Sequence, residues 1–172
     1  MASLHSPLCD MYTKLEKLGE GGFGVVFKVE HKLSKQLLAL KSVSIEIDAR
    51  RKLVESEVNI LKQCDHPNIV KFVEHFYDDT RIFIVMELCS NGHLKAAIAF
   101  QNQSGRPFSE EQLLSWFLDL FHGIKYLHDL HIIHRDIKPG NILLTECGSI
   151  KISDFGLSKI LGTLALIPKC GI

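Results

Sequence analysis

Asp136, Lys138 and Asn141 fall in one short stretch, His134-Arg135-Asp136-Ile137-Lys138-Pro139-Gly140-Asn141, and each brings a different chemical capacity. A carboxylate can take the proton of a hydroxyl, an ammonium can neutralise a transferring phosphoryl group, and an amide carbonyl can ligate Mg2+. Asp154, in Asp154-Phe155-Gly156, supplies a second metal-seeking carboxylate. Taken separately, the first stretch also reads as a charged surface loop and the second as a turn-forming tripeptide. Upstream, the pattern Gly19-x-Gly21-x-x-Gly24-x-Val26 places three glycines where backbone N–H groups can point at polyphosphate oxygens with no Cβ in the way. By itself that run equally describes a glycine-rich hairpin without a ligand. A dinucleotide site needs a helix directly after the glycines, and Val25 to Glu30 reads as a strand, which excludes a Rossmann arrangement.

Lys41 ends the apolar run Leu37-Leu38-Ala39-Leu40 and could simply snorkel at a sheet edge. The helical pattern between Asp48 and Cys64 argues for a different role. Glu57 shares the apolar stripe of Val54, Val58 and Leu61, whereas Glu55 sits with Arg51, Lys52 and Asn59 and reads as a solvated charge. A carboxylate on a buried face costs several kcal/mol if unpaired, so Glu57 needs a cation, and Lys41 on the adjacent sheet is the candidate. His128, His131 and His134 recur every three residues in the manner of a metal site. That spacing converges only on one continuous helix, and Leu130 to Ile133 reads as a turn into a strand, so structural or solvated imidazoles are expected.

The elements that must position these groups fall into two kinds. Tyr12 to Gly19 and Val25 to Glu30 alternate apolar and polar residues around the glycine turn, with Val25, Phe27 and Val29 on one face. Leu37 to Val43 continues the sheet, the helix from Asp48 follows, and His66-Pro67-Asn68 breaks it before strands at Ile69 to Phe76 and Arg81 to Glu87. Asn91-Gly92 marks a hinge. Ser109-Glu110-Glu111-Gln112 then fits a capping box, in which the Ser109 hydroxyl and the Gln112 amide both serve backbone N–H groups, and a helix runs on to about Asp129. Its apolar residues, from Leu113 to Leu127, nearly encircle it, so neighbours are expected on most sides. Short strands at His131 to Ile133, Ile142 to Leu144 and Ile150 to Ile152 carry the loops that hold the reactive groups.

Composition narrows the partners. Twenty basic and twenty acidic residues cancel, so no global field draws the chain to nucleic acid or an anionic membrane. The five cysteines are scattered with no Cys-x-x-Cys pair, which points to free thiols in a reducing, cytoplasmic setting. No apolar run reaches transmembrane length and no lipidation motif is present.

In this order, the glycine loop, Lys41, Glu57, the Asp136 stretch and Asp154-Phe155-Gly156 resemble the eukaryotic protein kinases over about Tyr12 to Leu161. The resemblance implies an α+β, two-lobed fold divided as residues 1–11 (extension), 12–89 (upper lobe), 90–161 (partial lower lobe) and 162–172 (atypical tail). It implies ATP and Mg2+ as cofactors. ATP contacts are implied for Leu18, Gly19, Gly21, Gly22, Phe23, Gly24, Val26, Ala39, Lys41, Met86, Glu87, Cys89 and Leu143, with Met86 the gatekeeper and Glu87 and Cys89 the hinge. Asp136 becomes the catalytic base, Lys138 a phosphate contact, the Lys41–Glu57 pair a phosphate clamp, and Asn141 and Asp154 the Mg2+ ligands. Leu61, Phe72, His134 and Phe155 match the family's hydrophobic spine. Lys138 resembles the serine/threonine class, whose substrates are protein hydroxyls. Phe108-Ser109-Glu110-Glu111, Trp116-Phe117, Tyr126-Leu127-His128 and Leu157-Ser158-Lys159 resemble the NIMA-related kinases. His93 departs from the usual Gly-Asp-Leu. The chain has no Ala-Pro-Glu and none of the later helices, so it reads as a kinase domain truncated after the metal-binding loop. A weak enzyme, a silent nucleotide- or partner-binding module and an unstable isoform are all open on that reading. The long helix is expected to lack lower-lobe neighbours and to need a chaperone or a partner protein.

Overall fold

The computed structural model describes residues 10–21 and 24–161, so Gly22, Phe23 and the segments 1–9 and 162–172 lie outside the described residues. The first half forms a five-stranded antiparallel sheet of order β1-β2-β3-β5-β4. Its strands are β1 (Tyr12–Gly21), β2 (Gly24–His31), β3 (Leu37–Ser44), β4 (Phe72–Tyr77) and β5 (Arg81–Glu87). The two faces follow from the period-two alternation. Val43, Ile82, Ile84 and Met86 face α1 (Asp48–Leu61) and pack on Val54, Val58 and Leu61, whereas Val29, Leu38, Leu40, Phe83 and Val85 form a separate cluster on the other side. Each fully buried aliphatic side chain here contributes about 1.5–3 kcal/mol. Val25, Phe27 and Val29 do share one face, and it is the face away from α1.

Several strand ends shift by one or two residues from those expected, β1 running on to Gly21, and two boundaries differ by three. The α1 helix ends at Leu61, and Cys64 lies in the turn beyond. Strand β4 starts at Phe72 because the preceding residues serve another purpose: Ile69 bridges Ile152, and Val70 N–H donates to the Ile152 carbonyl at 2.9 Å, tying the upper sheet to the second half of the chain. Glu55 is half-buried and not fully solvated.

The second half holds α2 (Leu94–Ser104), α3 (Glu110–Asp129) and two small antiparallel ladders, β6 (Ile132–Ile133) with β9 (Lys159–Ile160) and β7 (Ile142–Leu144) with β8 (Ile150–Ile152). The sequence pattern does not foretell α2, since its apolar residues run consecutively and none becomes buried. It exists between two caps: His93 Nδ1 accepts the Ala96 N–H at 3.0 Å, and Gly105 closes it at φ 65°. Nor is β9 foretold. Its two residues are exposed and are strand only through pairing with β6.

Helix α3 begins at Ser109, whose hydroxyl accepts the Gln112 N–H at 3.2 Å. The reciprocal half of the capping box is replaced: the Gln112 amide donates to the Gly148 carbonyl at 3.4 Å, beside Trp116 Nε1, which donates to the same oxygen at 2.8 Å. Gly123 sits where a Cβ would meet Ile152 Cδ1 at 2.9 Å, so glycine sets how closely α3 approaches β8. The helix stops at Asp129 and His131 takes a left-handed turn at φ 59°, which separates His131 and His134 from His128. Among the described residues no helix is long and apolar enough to cross a membrane, and Cys64, Cys89 and Cys147 are free thiols.

Candidate active site

A cleft of about 420 Å3 opens between the sheet and the second half of the chain. Its roof is the inward face of β1, β2 and β3, through Leu18, Gly19, Gly21, Gly24, Val26 and Ala39. Met86, Glu87 and Cys89 form its back edge, Leu143 its floor, and Lys41, Glu57, Asn141 and Asp154 its polar end. Thus every cleft contact expected from the sequence lies in one place, save Gly22 and Phe23, which fall outside the described residues. Asp136 and Lys138 adjoin the cleft through Asn141. Glu16, Lys28, Val70, Ser90, Gly92, His93, Gly140 and Ser153 also line it without having been singled out as contacts. For Lys28 a signal existed, since it stands two residues from Val26 on the same strand face.

The polar end is organised around Lys41, only 5% exposed. Its Nζ lies 2.7 Å from Glu57 Oε1, as the stripe on α1 predicted, and 3.0 Å from Asp154 Oδ1. Burial pushes the Lys41 ammonium toward neutrality, but the two carboxylates outweigh it and hold its pKa above the ordinary lysine value. Burial lifts Glu57 in turn, against the pull of Lys41. The result is a cation fixed in space by two elements far apart in sequence.

The loop carrying Asp136 is held from both sides. Lys138 Nζ donates to Asp136 Oδ2 at 2.7 Å, and Asn141 Nδ2 donates to the same oxygen at 2.9 Å and to the Asp136 carbonyl at 3.0 Å. The Lys138 hydrogen bond, helped by Asn141, keeps the Asp136 carboxyl below its usual range. His134 packs edge-on against Phe155 with ring centroids 4.9 Å apart, and Phe155 is buried in the core that contains Leu61 and adjoins Phe72. Arg135 and Asp154 both take left-handed backbone conformations, φ 66° and 63°, which non-glycine residues adopt mainly where surrounding structure imposes them. For Arg135 that structure includes its Nε, which donates to the Leu157 carbonyl at 2.6 Å.

The glycines divide by role. At Gly24, φ 117°, a Cβ would stand 2.3 Å from the Ser42 carbonyl oxygen, so the hairpin itself demands glycine. At Gly19 and Gly21 a Cβ would meet nothing within 4 Å. Their openness leaves backbone exposed to whatever enters the cleft.

The donor set suits a hard cation. Asn141 directs its N–H groups to Asp136, which leaves its carbonyl oxygen, and Asp154 offers a carboxylate; oxygen donors of this kind fit Mg2+. At the hinge, burial raises the Cys89 thiol to about 11, so it is protonated and inert at neutral pH. A family model described as the protein kinase domain matches residues 12–166, a span that contains the whole cleft and both loops at its polar end. The chain belongs to the protein kinase family.

Proposed function

We propose that this chain binds Mg·ATP in the cleft and directs phosphoryl transfer to serine or threonine hydroxyls of proteins, in the manner of the NIMA-related kinases. The observation that carries the reading is Lys41, held by Glu57 and Asp154 at the polar end of a cleft whose far edge is apolar. In this reading residues 12–89 and 90–161 act as the two lobes, flanked by 1–11 and 162–172, and the chain works in the cytoplasm.

The Mg2+-bound nucleotide supplies the transferable phosphoryl group, with Asn141 and Asp154 as the residues that would hold the metal. The N–H groups of the glycine loop and Lys41 bind phosphate oxygens, and Val26, Ala39 and Leu143 enclose the base. The Asp136 carboxylate takes the proton of the acceptor hydroxyl, and its depressed pKa keeps it ionised for that task. Lys138 offsets charge on the group in transit. The serine/threonine assignment rests on Lys138 standing two places after Asp136, and the subfamily on the motifs around α3 and after Asp154.

Thermal unfolding with and without Mg·ATP tests the binding half. A ligand held only by the native state adds about 2.7 kcal/mol at a hundred times its Kd, so Tm should rise, and Lys41→Met and Asp154→Ala should remove most of the rise. Phosphoamino-acid analysis of a modified peptide library tests the transfer half, with phosphoserine and phosphothreonine expected and Asp136→Asn silent. A flat melting response in millimolar Mg·ATP overturns both halves. The exposed apolar side chains of α3 favour a second reading, a nucleotide-binding module completed by a partner protein or chaperone. Binding without transfer by the isolated chain supports that reading.

A further inference from the structure

The face of the sheet turned away from the cleft carries a groove of about 400 Å3. Strand alternation builds its floor from Val25 and Phe27 of β2, Leu40 of β3 and Phe83 of β5. Leu40 and Phe83 are buried and the two β2 residues are partly covered, so the accessible floor comes from the hairpin.

Two cations border this apolar surface. Lys14 places its Nζ 3.3 Å from the centroid of the Phe27 ring, and Arg81 Nη1 donates to Ser42 Oγ at 3.0 Å. No acidic side chain lines the groove, and neither cation has a carboxylate within ion-pair distance among the described residues. Both anchoring residues belong to one ladder, in which Phe27 pairs with Leu40 and Ser42 with Val25. They are therefore two residues along and one strand across from each other, roughly 8 Å by sheet geometry. An extended segment spans that distance in about three residues.

Apolar floor and unmatched positive rim together select a ligand. A hydrophobic segment without charge would leave both cations uncompensated, and a basic one would be repelled. The undescribed ends of the chain do not meet the requirement, since residues 1–9 and 162–172 contain no Asp or Glu. We propose that this outer face docks an acidic–apolar segment of a partner protein, with large apolar side chains over Phe27 and carboxylates at Lys14 and Arg81. The partner would engage the sheet without entering the nucleotide cleft, which opens on the opposite face.

Fluorescence anisotropy on the full chain tests this with a labelled Glu-Phe-Leu-Phe-Glu peptide and two counterparts, one with Lys for both Glu and one with Ser for the apolar residues. The acidic–apolar peptide should bind at least about tenfold more tightly than either counterpart and weaken as salt is raised. Lys14→Glu with Arg81→Glu should reduce that affinity by about tenfold or more while leaving the Mg·ATP melting shift intact, which also reports that the variant folds. If the double reversal does not fold, Lys14→Gln with Arg81→Gln removes the charges and is read in the same way. Equal affinity for the three peptides, or affinity unchanged by the charge substitutions, overturns the proposal. Binding of phosphatidylserine vesicles but not of the peptide overturns it in favour of a membrane surface. Self-association that the substitutions abolish assigns the groove to a second copy and overturns it too.

Discussion

Lys41 illustrates why removing half of a buried pair is worse than removing both halves. Glu57 is 2% exposed, so without Lys41 its charge has neither water nor its ammonium. Lys41→Met is therefore expected to lower stability by about 3–5 kcal/mol in urea unfolding, and adding Glu57→Leu should restore most of the loss. A single variant within about 1 kcal/mol of wild type would show that Glu57 is compensated from elsewhere. By contrast, the exposed Lys125–Asp129 pair at 2.6 Å should contribute no more than about 0.5 kcal/mol.

A second residue-scale prediction concerns pH. His134 Nε2–H donates to the Ser153 carbonyl at 3.0 Å, and Nδ1 accepts the Asp136 N–H at 3.3 Å. Burial holds its pKa below the imidazole range, with the Ser153 bond and the charges of Asp154 and Asp136 pulling the other way. Between that depressed value and the unfolded value of about 6.5, the unfolded chain binds more protons than the native one. Stability should therefore fall as pH drops below about 6.5, and a second proton on the ring would also break its bond to Asp136. Urea midpoints measured from pH 7 to pH 5 should show a shallower slope in His134→Gln. An unchanged slope would assign the effect to His66 and His75, which burial also depresses.

At the scale of elements, the contact between α3 and the upper half of the chain sets the geometry below the cleft. Gly123 lies against Ile152 and the Asn68 carbonyl, Ile152 N–H donates to that carbonyl at 2.8 Å, and Tyr126 Oη accepts the Asp65 N–H at 2.8 Å. In an exposed helix, Gly→Ala gains about 1 kcal/mol from propensity. Here the added methyl would be 2.9 Å from Ile152 Cδ1 and 3.2 Å from the Asn68 oxygen. Overpacking of this kind costs about 1–3 kcal/mol, so Gly123→Ala should be net destabilising, with β8 displaced. A stabilised variant with an unchanged Mg·ATP melting shift would show that α3 can retreat freely.

For the whole molecule, the balance between covered and exposed apolar surface on α3 is decisive. Of the five α3 side chains Trp116, Phe117, Leu120, Phe121 and Ile124, which were expected not all to find cover, Trp116, Leu120 and Ile124 are partly buried against the β7–β8 ladder and the main core. Leu113, Leu114, Phe117, Leu118 and Phe121 are not; Phe117 is 64% exposed and Phe121 54%. A contiguous patch of this kind marks an interface or an aggregation hazard. Phe117→Glu with Phe121→Glu should raise the soluble, monodisperse fraction in sedimentation while the Mg·ATP melting shift stays unchanged. Wild-type chain that is already monomeric and binds no hydrophobic dye would remove the need for a partner at this face.

Much of the site was legible because its signals are local. The resemblance carried by the motifs put Val26 and Ala39 at the cleft, and beside it two local signals operated: the stripe on α1 singled out Glu57 over Glu55, and Ser109 marked the start of α3. Both signals depend on neighbours within a turn or so, where propensity and period operate. What only the tertiary structure decided involves residues far apart in the chain. Asp154 joining Glu57 on Lys41, β9 becoming a strand beside β6, Ile69 and Val70 leaving β4 to bridge Ile152, and the Gln112 amide turning to Gly148 all follow from packing. The same holds for the partial cover over Trp116, Leu120 and Ile124. Such contacts exist only once loops have closed and two faces compete for the same side chain, and no local period encodes that competition.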